Sequence, residues 1–221
     1  LASMLEKAKR PLLWIGGGAR HAQVEVQKLA GMGFGVVTSI QGRGVVPEGD
    51  DCSLGAYNLY PNIEEFYQTC DAMLVVGSRL RGNETLKYKL KLPSPLYQID
   101  VDPTLSKRPY QPEKTVIGDS KLVLSKLAAK LGNRMNIDEN FWSEIKKARQ
   151  ISMEHLTKNF IQPYENLVSA IQASNGGDFV WVRDVTISNS TWGNRAIHIQ
   201  SPKDGLHAVG GGIGQGLQMA I

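Results

Sequence analysis

Long apolar runs, signal-peptide features and cysteine motifs are all missing from this sequence of 221 residues. No run approaches the roughly 18 apolar residues that a membrane-spanning helix needs. The opening LASMLEKAKRP has neither the apolar core nor the cleavage site of a signal peptide. Cys52 and Cys70 form no CxxC motif and have no histidine nearby in sequence, so we expect buried, reduced thiols and no metal site. These absences predict a cytoplasmic protein.

Charge gives little support for a nucleic-acid partner. The net charge is only +4, and the basic residues concentrate around residues 121–158. No zinc-finger spacing or RNA-binding aromatic signature accompanies them, which favours a solvated helix face. The sequence begins with Leu1 and not with methionine, so we expect it to come from the middle of a longer chain.

Apolar runs and amphipathic segments alternate along the first part of the chain. The runs PLLWI, FGVVTSI, AMLVV, PLYQID and TVIGDS are typical of buried strands, and HAQVEVQKLAGMG, IEEFYQTC and KLVLSKLAAKLG are typical of helices. This alternation predicts an α/β fold, a doubly wound parallel sheet with Rossmann-like topology, over residues 1–134.

The remainder indicates a linker and an incomplete second α/β unit. Residues 135–162 contain FWSEIKKARQISMEHL and are predicted to form a linker helix. Residues 163–221 then supply the helix YENLVSAIQAS, a strand over 179–185, a short strand RAIHIQS and a final glycine loop. Because so few residues make a small sheet, we expect this unit to be truncated.

The first glycine cluster departs from the dinucleotide fingerprint. A Rossmann loop follows G-x-G-x-x-G, with an acidic residue about 20 positions on. Gly16 and Gly18 fit, but no third glycine follows and the second strand ends in VVTSIQGRG without an acid. This disfavours an NAD-dependent dehydrogenase and leaves a tight strand-to-helix turn without ligand as an alternative.

Small and polar residues follow every one of the first four predicted strands. Because ligands bind at the carboxyl ends of parallel strands, these residues predict a nucleotide-shaped crevice. Arg79 suits a phosphate, and Asp100 or Asp102 suits ribose hydroxyls, although Asp-Pro also starts turns. The candidates are Gly16, Gly17, Gly18, Thr38, Ser39, Gln41, Gly42, Gly44, Gly77, Ser78, Arg79, Asp100 and Asp102.

Six stretches in order resemble the central domain of the thiamine-diphosphate-dependent 2-oxo acid enzymes, whose members include acetolactate synthase, benzoylformate decarboxylase and pyruvate oxidase. They are AKRPLLWIGGGA, VVTSIQGRGVVPEG, SLGAY, CDAMLVVGSRL, YQIDVDP and VIGDSKLVLSKL, and they cover about residues 1–131. The terminal AVGGGIGQGLQMAI resembles the start of the diphosphate-binding domain of the same family.

The resemblance implies a thiamine site in the terminal loop. In the family a large apolar residue between glycines wedges the cofactor into a bent conformation, and Ile213 holds that position here. The alternative is a plain core residue at a helix start. The segment VTISNSTWGN resembles the loop that touches the diphosphate. The implied cofactor-binding residues are Ser188, Asn189, Gly211, Gly212, Ile213 and Gly214.

Two departures from the family concern its other ligands. Flavin-binding relatives carry a Gly-Met-His-Gly-like segment where this sequence reads SLGAYNLYP, so FAD, ADP and an empty crevice all stay open. Gln218 replaces a family proline. The activating glutamate and magnesium ligands of the family have no match, since Asp204 precedes the glycine loop and suits a turn.

The resemblance implies a full-length enzyme that uses thiamine diphosphate and Mg²⁺ to decarboxylate or carboligate 2-oxo acids, as acetolactate synthase does. It also implies a homodimer or homotetramer. We assign no catalytic residue and no metal ligand to this chain, and we expect it to be inactive alone. The alternative is a nucleotide-binding regulatory or assembly module without chemistry.

Overall fold

A five-stranded parallel sheet forms the centre of the molecule, with strand order β2-β1-β3-β4-β5. The computed structural model describes residues 1–104, 108–132, 135–186, 191–208 and 212–221. The strands are β1 Pro11–Ile15, β2 Gly35–Thr38, β3 Ala72–Val76, β4 Leu96–Asp100 and β5 Lys114–Ile117. This order confirms the predicted doubly wound sheet. The chain adds β2 on one side of β1 and then β3 on the other side, and a ligand crevice is expected at this switch point between β1 and β3.

Helices cover both faces of this sheet. They are α1 Ala2–Leu5, α2 Gln23–Gly31, α3 Pro61–Tyr67, α4 Ser120–Leu131 and α5 Phe141–Leu156, with a 3₁₀ helix at Gly17–Ala22. Leu13 and Ile15 of β1 join the core under α2 and α4. Leu12 and Trp14 join the core under α3 and α5. Because successive strand residues point to opposite faces, one apolar run serves two cores.

Helix α5, expected as a linker, packs directly on the sheet. Phe141 and Ile145 are fully buried in the same core as β1. The Phe141 ring stacks on Phe66 of α3 with centroids 5.9 Å apart. Arg10, beside β1, pairs with Asp138 at 2.9 Å. The segment after residue 134 therefore shares a core with the sheet, and the domain division at that residue stays a prediction.

The C-terminal region forms a second, smaller sheet. Strands β6 Trp181–Arg183 and β7 Gly205–His207 pair in parallel. Helix α6 Glu165–Ala173 precedes them, a π-helical turn Thr157–Ile161 extends α5, and helix α7 Gln215–Ala220 follows.

The predicted strand RAIHIQS is wrong, since β7 lies further along the chain. Ile197 and Ile199 are buried, which gives this segment a strand-like pattern. Their backbone groups bond to another part of the molecule instead of a strand. The Ile197 carbonyl accepts from Arg43, and the Ile199 N–H donates to Glu48 at 2.9 Å.

Both cysteines are free and buried, as expected. Burial raises the pKa of Cys52 to about 11 and that of Cys70 to about 12. A thiol with such a pKa stays protonated at neutral pH and behaves as a small apolar side chain. Within the described part of the chain, no helix has the length and apolar character needed to cross a membrane.

Candidate functional site

A crevice of about 530 Å³ opens at the carboxyl edge of the five-stranded sheet. Residues that follow all five strands line it, which is the position where doubly wound sheets bind ligands. Its size lies within the usual range for small-molecule sites. The lining residues are Gly17, Gly18, Arg20, Ser39, Gln41, Gly77, Ser78, Arg79, Arg81, Glu84, Asp100, Val101, Gly118 and Ser120.

The glycines of the first and third loops form the floor of the crevice because their backbones cross. The Gly18 N–H donates to the Gly77 carbonyl at 3.0 Å. A Cβ at Gly16 would lie 2.3 Å from the Gly77 carbonyl oxygen, and a Cβ at Gly77 would lie 2.5 Å from the Gly18 carbonyl carbon. Gly77 also has φ +59°, where side chains are strained. Close backbone packing therefore accounts for much of the glycine pattern.

The predicted crevice residues divide into those that line the crevice and those that do not. Gly17, Gly18, Ser39, Gln41, Gly77, Ser78, Arg79 and Asp100 line the crevice. Gly16, Thr38, Gly42 and Gly44 lie outside the lining. A Cβ at Gly42 would lie 2.2 Å from the Ile15 carbonyl oxygen, so Gly42 packs below the floor.

Asp102 takes part in a turn instead of the crevice. Its carboxylate accepts from the Thr104 N–H at 2.9 Å and the Thr104 hydroxyl at 2.6 Å. Arg108 pairs with the second carboxylate oxygen at 2.9 Å. The Thr104 hydroxyl is the main reason that the pKa of Asp102 is lowered. Of the two aspartates considered for ribose, only Asp100 lines the crevice.

Several lining residues were not predicted from the sequence. Arg20 belongs to the 3₁₀ helix after β1, and Gly118 follows the end of β5. Both could have been predicted, because ligands bind at the carboxyl ends of parallel strands. Arg81 and Glu84 lie further from a strand end. The sequence signal for these two residues is the Arg81-x-x-Glu84 spacing, which is typical of a helix start. Glu84 accepts from the Arg81 N–H at 3.4 Å, as a carboxylate at a helix start does.

The crevice combines basic side chains with two carboxyl groups. Arg20, Arg79 and Arg81 supply three guanidinium groups. Burial raises the pKa of Glu84, and the Arg81 N–H and charge oppose that shift. Arginines bind phosphate oxygens bidentately, and carboxylates accept hydroxyl protons. The arrangement suits a ligand with a phosphate end and a hydroxylated end.

Ser39 adds a polar group with no protein partner. The residue is 1% exposed, and its hydroxyl oxygen has no hydrogen-bond partner within the described ranges. Among the buried polar atoms without a partner in the described ranges, the Ser39 hydroxyl is the one that belongs to a crevice-lining residue, so it is free to bond to a ligand there.

The implied thiamine residues are described only in part. Ser188, Asn189 and Gly211 lie outside the described residues. Ile213 is 82% exposed, so it belongs to no core of the described chain. Gly214 has φ +88° and begins helix α7.

Asp184, at the end of β6, fixes the start of α7. Its carboxylate accepts from the N–H groups of Gly214 at 2.9 Å and Gly216 at 3.1 Å. A Cβ at Gly216 would lie 2.8 Å from the Asp184 Cβ, so only glycine fits there. This arrangement holds Ile213 as an uncovered apolar side chain between Gly212 and Gly214, which fits contact with an organic ring. Among the described residues, no three or more His, Cys, Asp and Glu side chains come together in a group that could hold a metal ion.

The fold and crevice together define a class. A doubly wound parallel sheet with a crevice at its topological switch point is the architecture of Rossmann-like α/β domains.

Comparison with known proteins gives the family. Residues 1–127 match the central domain of thiamine pyrophosphate enzymes, and the chain belongs to this family. The chain is 24% identical to the probable acetolactate synthase 2, chloroplastic, of Oryza sativa subsp. japonica over 96% of its length. It is 26% identical over its full length to the probable 2-ketoarginine decarboxylase AruI of Pseudomonas aeruginosa. It is also 26% identical to the acetolactate synthase large subunit of Cyanidium caldarium over 99% of its length.

The chain covers only part of these relatives. It spans 34% of the rice protein and 39% of each of the other two. The family resemblance inferred from the six stretches is confirmed by the match to residues 1–127.

Proposed function

We propose that these residues belong to a thiamine-diphosphate- and Mg²⁺-dependent enzyme that decarboxylates or carboligates 2-oxo acids, with acetolactate synthase as its nearest functional type. The match of residues 1–127 to the thiamine pyrophosphate enzyme family carries the proposal. The names of the relatives, acetolactate synthases and a 2-ketoarginine decarboxylase, support the substrate class. We assign residues 1–134 to the central domain of this protein and residues 135–162 to a helical linker. Residues 163–221 are assigned to the first part of the cofactor-binding domain. The whole protein acts in the cytoplasm as a homodimer or homotetramer.

The terminal loop contributes to cofactor binding. Thiamine diphosphate, when bound, supplies the electron sink for loss of carbon dioxide from a 2-oxo acid. Ile213 offers its exposed side chain to the cofactor ring, and Gly212 and Gly214 let the backbone approach closely. Asp184 holds the start of α7 and so keeps Ile213 in place.

The crevice at the sheet edge binds a nucleoside diphosphate of the ADP type. Arg20, Arg79 and Arg81 face the phosphates, and Asp100 or Glu84 accepts from the ribose. The orphan hydroxyl of Ser39 gains a partner on binding. This site is regulatory or structural, because the thiamine chemistry belongs to the other loop.

Calorimetric titration of the 221-residue chain with ADP, FAD and NAD, in parallel, tests the crevice. Saturable ADP binding supports the proposal. FAD binding that ADP cannot displace would replace the ADP assignment with a flavin site. Absence of binding by all three nucleotides at millimolar concentration would refute the nucleotide site.

A pair of variants locates that binding. Arg79→Met removes one crevice arginine, so we expect ADP affinity to fall about tenfold, as for loss of one charge-assisted hydrogen bond. Lys146→Met is the matched control, because it removes a positive charge from an exposed ion pair with Asp51 outside the crevice. An equal loss of ADP affinity in both variants would show that the effect comes from the net charge of the protein and not from the crevice.

Turnover assays test the enzymatic part. We expect the 221-residue chain to release no carbon dioxide from pyruvate with thiamine diphosphate and Mg²⁺, since it carries no match to the metal-ligand motif of the family. The natural full-length protein should do so, and Ile213→Ala in that protein should lower kcat. Nucleotide binding by a full-length protein without thiamine affinity would favour the alternative, a binding module without chemistry.

A further inference from the structure

A second pocket, of about 310 Å³, lies between α3, the end of α5 and the segment around residues 191–195. Leu59, Pro61, Leu156 and Phe160 supply apolar walls around the guanidinium of Arg195. We call it the Arg195 pocket. It shares no lining residue with the crevice at the sheet edge.

The contacts that Arg195 makes with the described residues all come from neutral groups. Its Nε donates to the Ala56 carbonyl at 3.0 Å, and one Nη donates to the Thr191 carbonyl at 3.2 Å. The guanidinium carbon lies 5.7 Å from the centre of the Tyr60 ring. These contacts fix the side chain, and none of them supplies a counter-ion for its positive charge.

No carboxylate of the described residues lies within ion-pair distance of Arg195. The residues outside the described ranges include no aspartate or glutamate. Arg10 and Arg43 differ, because Arg10 pairs with Asp138 and Arg43 pairs with Glu48. Arg149 resembles Arg195, because its guanidinium donates to backbone carbonyls. Charged groups that leave water are normally paired, so an anion in the pocket beside Arg195 would supply the missing counter-charge.

The surroundings of Arg195 favour such an anion. Burial is the main cause of the lowered pKa of Arg195, and the positive charge of Arg43 adds to it. Arginine nevertheless stays protonated in proteins, so the pocket holds a permanent, partly desolvated cation. An anion that pairs with it gains more than it would at a fully exposed arginine.

The other walls decide the shape of the ligand. The Tyr60 and His155 rings meet edge to face at 5.7 Å, and His155 and Phe160 are 6.4 Å apart. With the aliphatic walls these rings line an open, mostly apolar groove at the lower end of the size range for small-molecule sites. A nucleotide is too polar for such walls, whereas a short hydrocarbon body matches them.

We propose that the Arg195 pocket binds a small organic carboxylate, with the carboxylate paired to Arg195 and an apolar body of a few carbons against Phe160 and Leu156. The inference does not rest on the proposed nucleotide or thiamine sites. It adds a binding site for a small organic acid, either a 2-oxo acid or a simple carboxylic acid, since both present the same charged group.

The test measures the binding of matched ligands to the 221-residue chain by calorimetry and by NMR. The probes are 4-methylpentanoate and its uncharged isostere 4-methylpentanamide. We expect saturable binding of the carboxylate and at least tenfold weaker binding of the amide. Equal binding of the two, or no binding of the carboxylate at millimolar concentration, would overturn the proposal.

A third probe, 4-methyl-2-oxopentanoate, distinguishes the two sources. Binding tighter than that of 4-methylpentanoate identifies a 2-oxo acid as the natural ligand. Equal binding identifies a general carboxylate site. Competition between the two acids for one site is expected in both cases, and independent sites would contradict the assignment.

Variants locate the site. Arg195→Met should weaken carboxylate binding at least tenfold, and Arg195→Lys should retain part of it. Phe160→Ala should weaken binding without threatening the fold, because Phe160 is half-exposed. Arg79→Met is the matched control and should leave carboxylate binding unchanged, while Arg195→Met should leave ADP binding unchanged. If Arg195→Met does not fold, Phe160→Ala becomes the test of the site. An unchanged carboxylate affinity in Phe160→Ala would then refute the proposed pocket.

Discussion

The five-stranded sheet and the C-terminal region gain their order from different interactions. Every residue of β1, β3 and β4 is buried, whereas β7 has none that is fully buried. Helix α6 buries no residue, and Ile213, Leu217 and Ile221 are each more than two-thirds exposed. Apolar burial therefore stabilises the sheet, and it contributes much less to the C-terminal region.

Buried polar contacts join the C-terminal region to the sheet. Arg43 and Glu48, each with a side chain 4% exposed, form an ion pair at 2.6 Å. The same two side chains bond to the backbone of Ile197 and Ile199. The comparison shows that one region carries a large core of its own, while the other combines a few buried apolar side chains with bonds to buried charged groups of the first.

The strongest way to test this comparison is to remove one partner of the ion pair. Glu48→Gln leaves Arg43 buried without its counter-ion, which typically costs about 3–5 kcal/mol. We expect the loss to appear first in the C-terminal region. Hydrogen exchange of the amides in 193–208, measured beside those of β1 and β3, checks this order.

An exposed pair gives the control for that experiment. Asp51 and Lys146 lie 3.2 Å apart with side chains 59% and 63% exposed. Asp51→Asn should change the free energy of unfolding by less than about 1 kcal/mol. If Glu48→Gln were equally mild, or if β1 and β3 lost protection first, the region would not depend on the ion pair.

A truncation within the sheet should affect both regions. Leu74 is fully buried in β3, so Leu74→Ala leaves a cavity and should cost about 2–5 kcal/mol. Chemical denaturation followed by tryptophan fluorescence measures the loss. Leu217→Ala, at a position 69% exposed, is the matched control and should cost less than about 0.5 kcal/mol. A large effect at Leu217 would show that α7 has a core of its own.

The sheet and the position of the crevice could be predicted because both depend on local pattern. The runs before Gly16 and Gly77 read as buried strands, and parallel strands bring their carboxyl ends together. The position of Arg79 and Asp100 at the crevice could be predicted from this property of parallel strands alone. The position of Arg81 and Glu84 could not, because the folding of the loop after β3 brings them back to the crevice.

The C-terminal region was harder to predict because distant residues decide its backbone. Ile197 and Ile199 have the alternation of a strand, but their hydrogen bonds go to Arg43 and Glu48, about 150 positions earlier. No local pattern contains that information. The same holds for Asp184, whose role depends on glycines 30 and 32 residues later.

Acid should loosen the C-terminal region through His207. Burial, and then the charge of Arg183, lowers the pKa of His207 from 6.5 to about 4. The Gln41 amide donates to Nε2 of His207, which requires an unprotonated ring nitrogen. Because the unfolded chain binds the proton more readily, stability should fall as the pH drops from about 6.5 to about 4.

Two measurements check this pH dependence. An NMR titration should show His207 changing charge near pH 4, and His207→Gln should remove part of the slope of stability against pH in that window. An unchanged slope in His207→Gln would assign the acid sensitivity to other groups.

The smallest expected effect is confined to the last helix. The Val185 N–H, then those of Gly216 and Gly214, lower the pKa of Asp184. A carboxyl whose folded pKa is lowered contributes stability above its unfolded pKa and loses it as the pH falls through the folded value. Asp184→Asn should therefore weaken amide protection in residues 212–221 at neutral pH and leave the five-stranded sheet unchanged. Since Asn also caps helices, only the charge-dependent part should disappear, so the variant and the parent should converge in acid. Divergence in acid, or loss of protection in β1, would show that Asp184 supports more of the molecule than the start of α7.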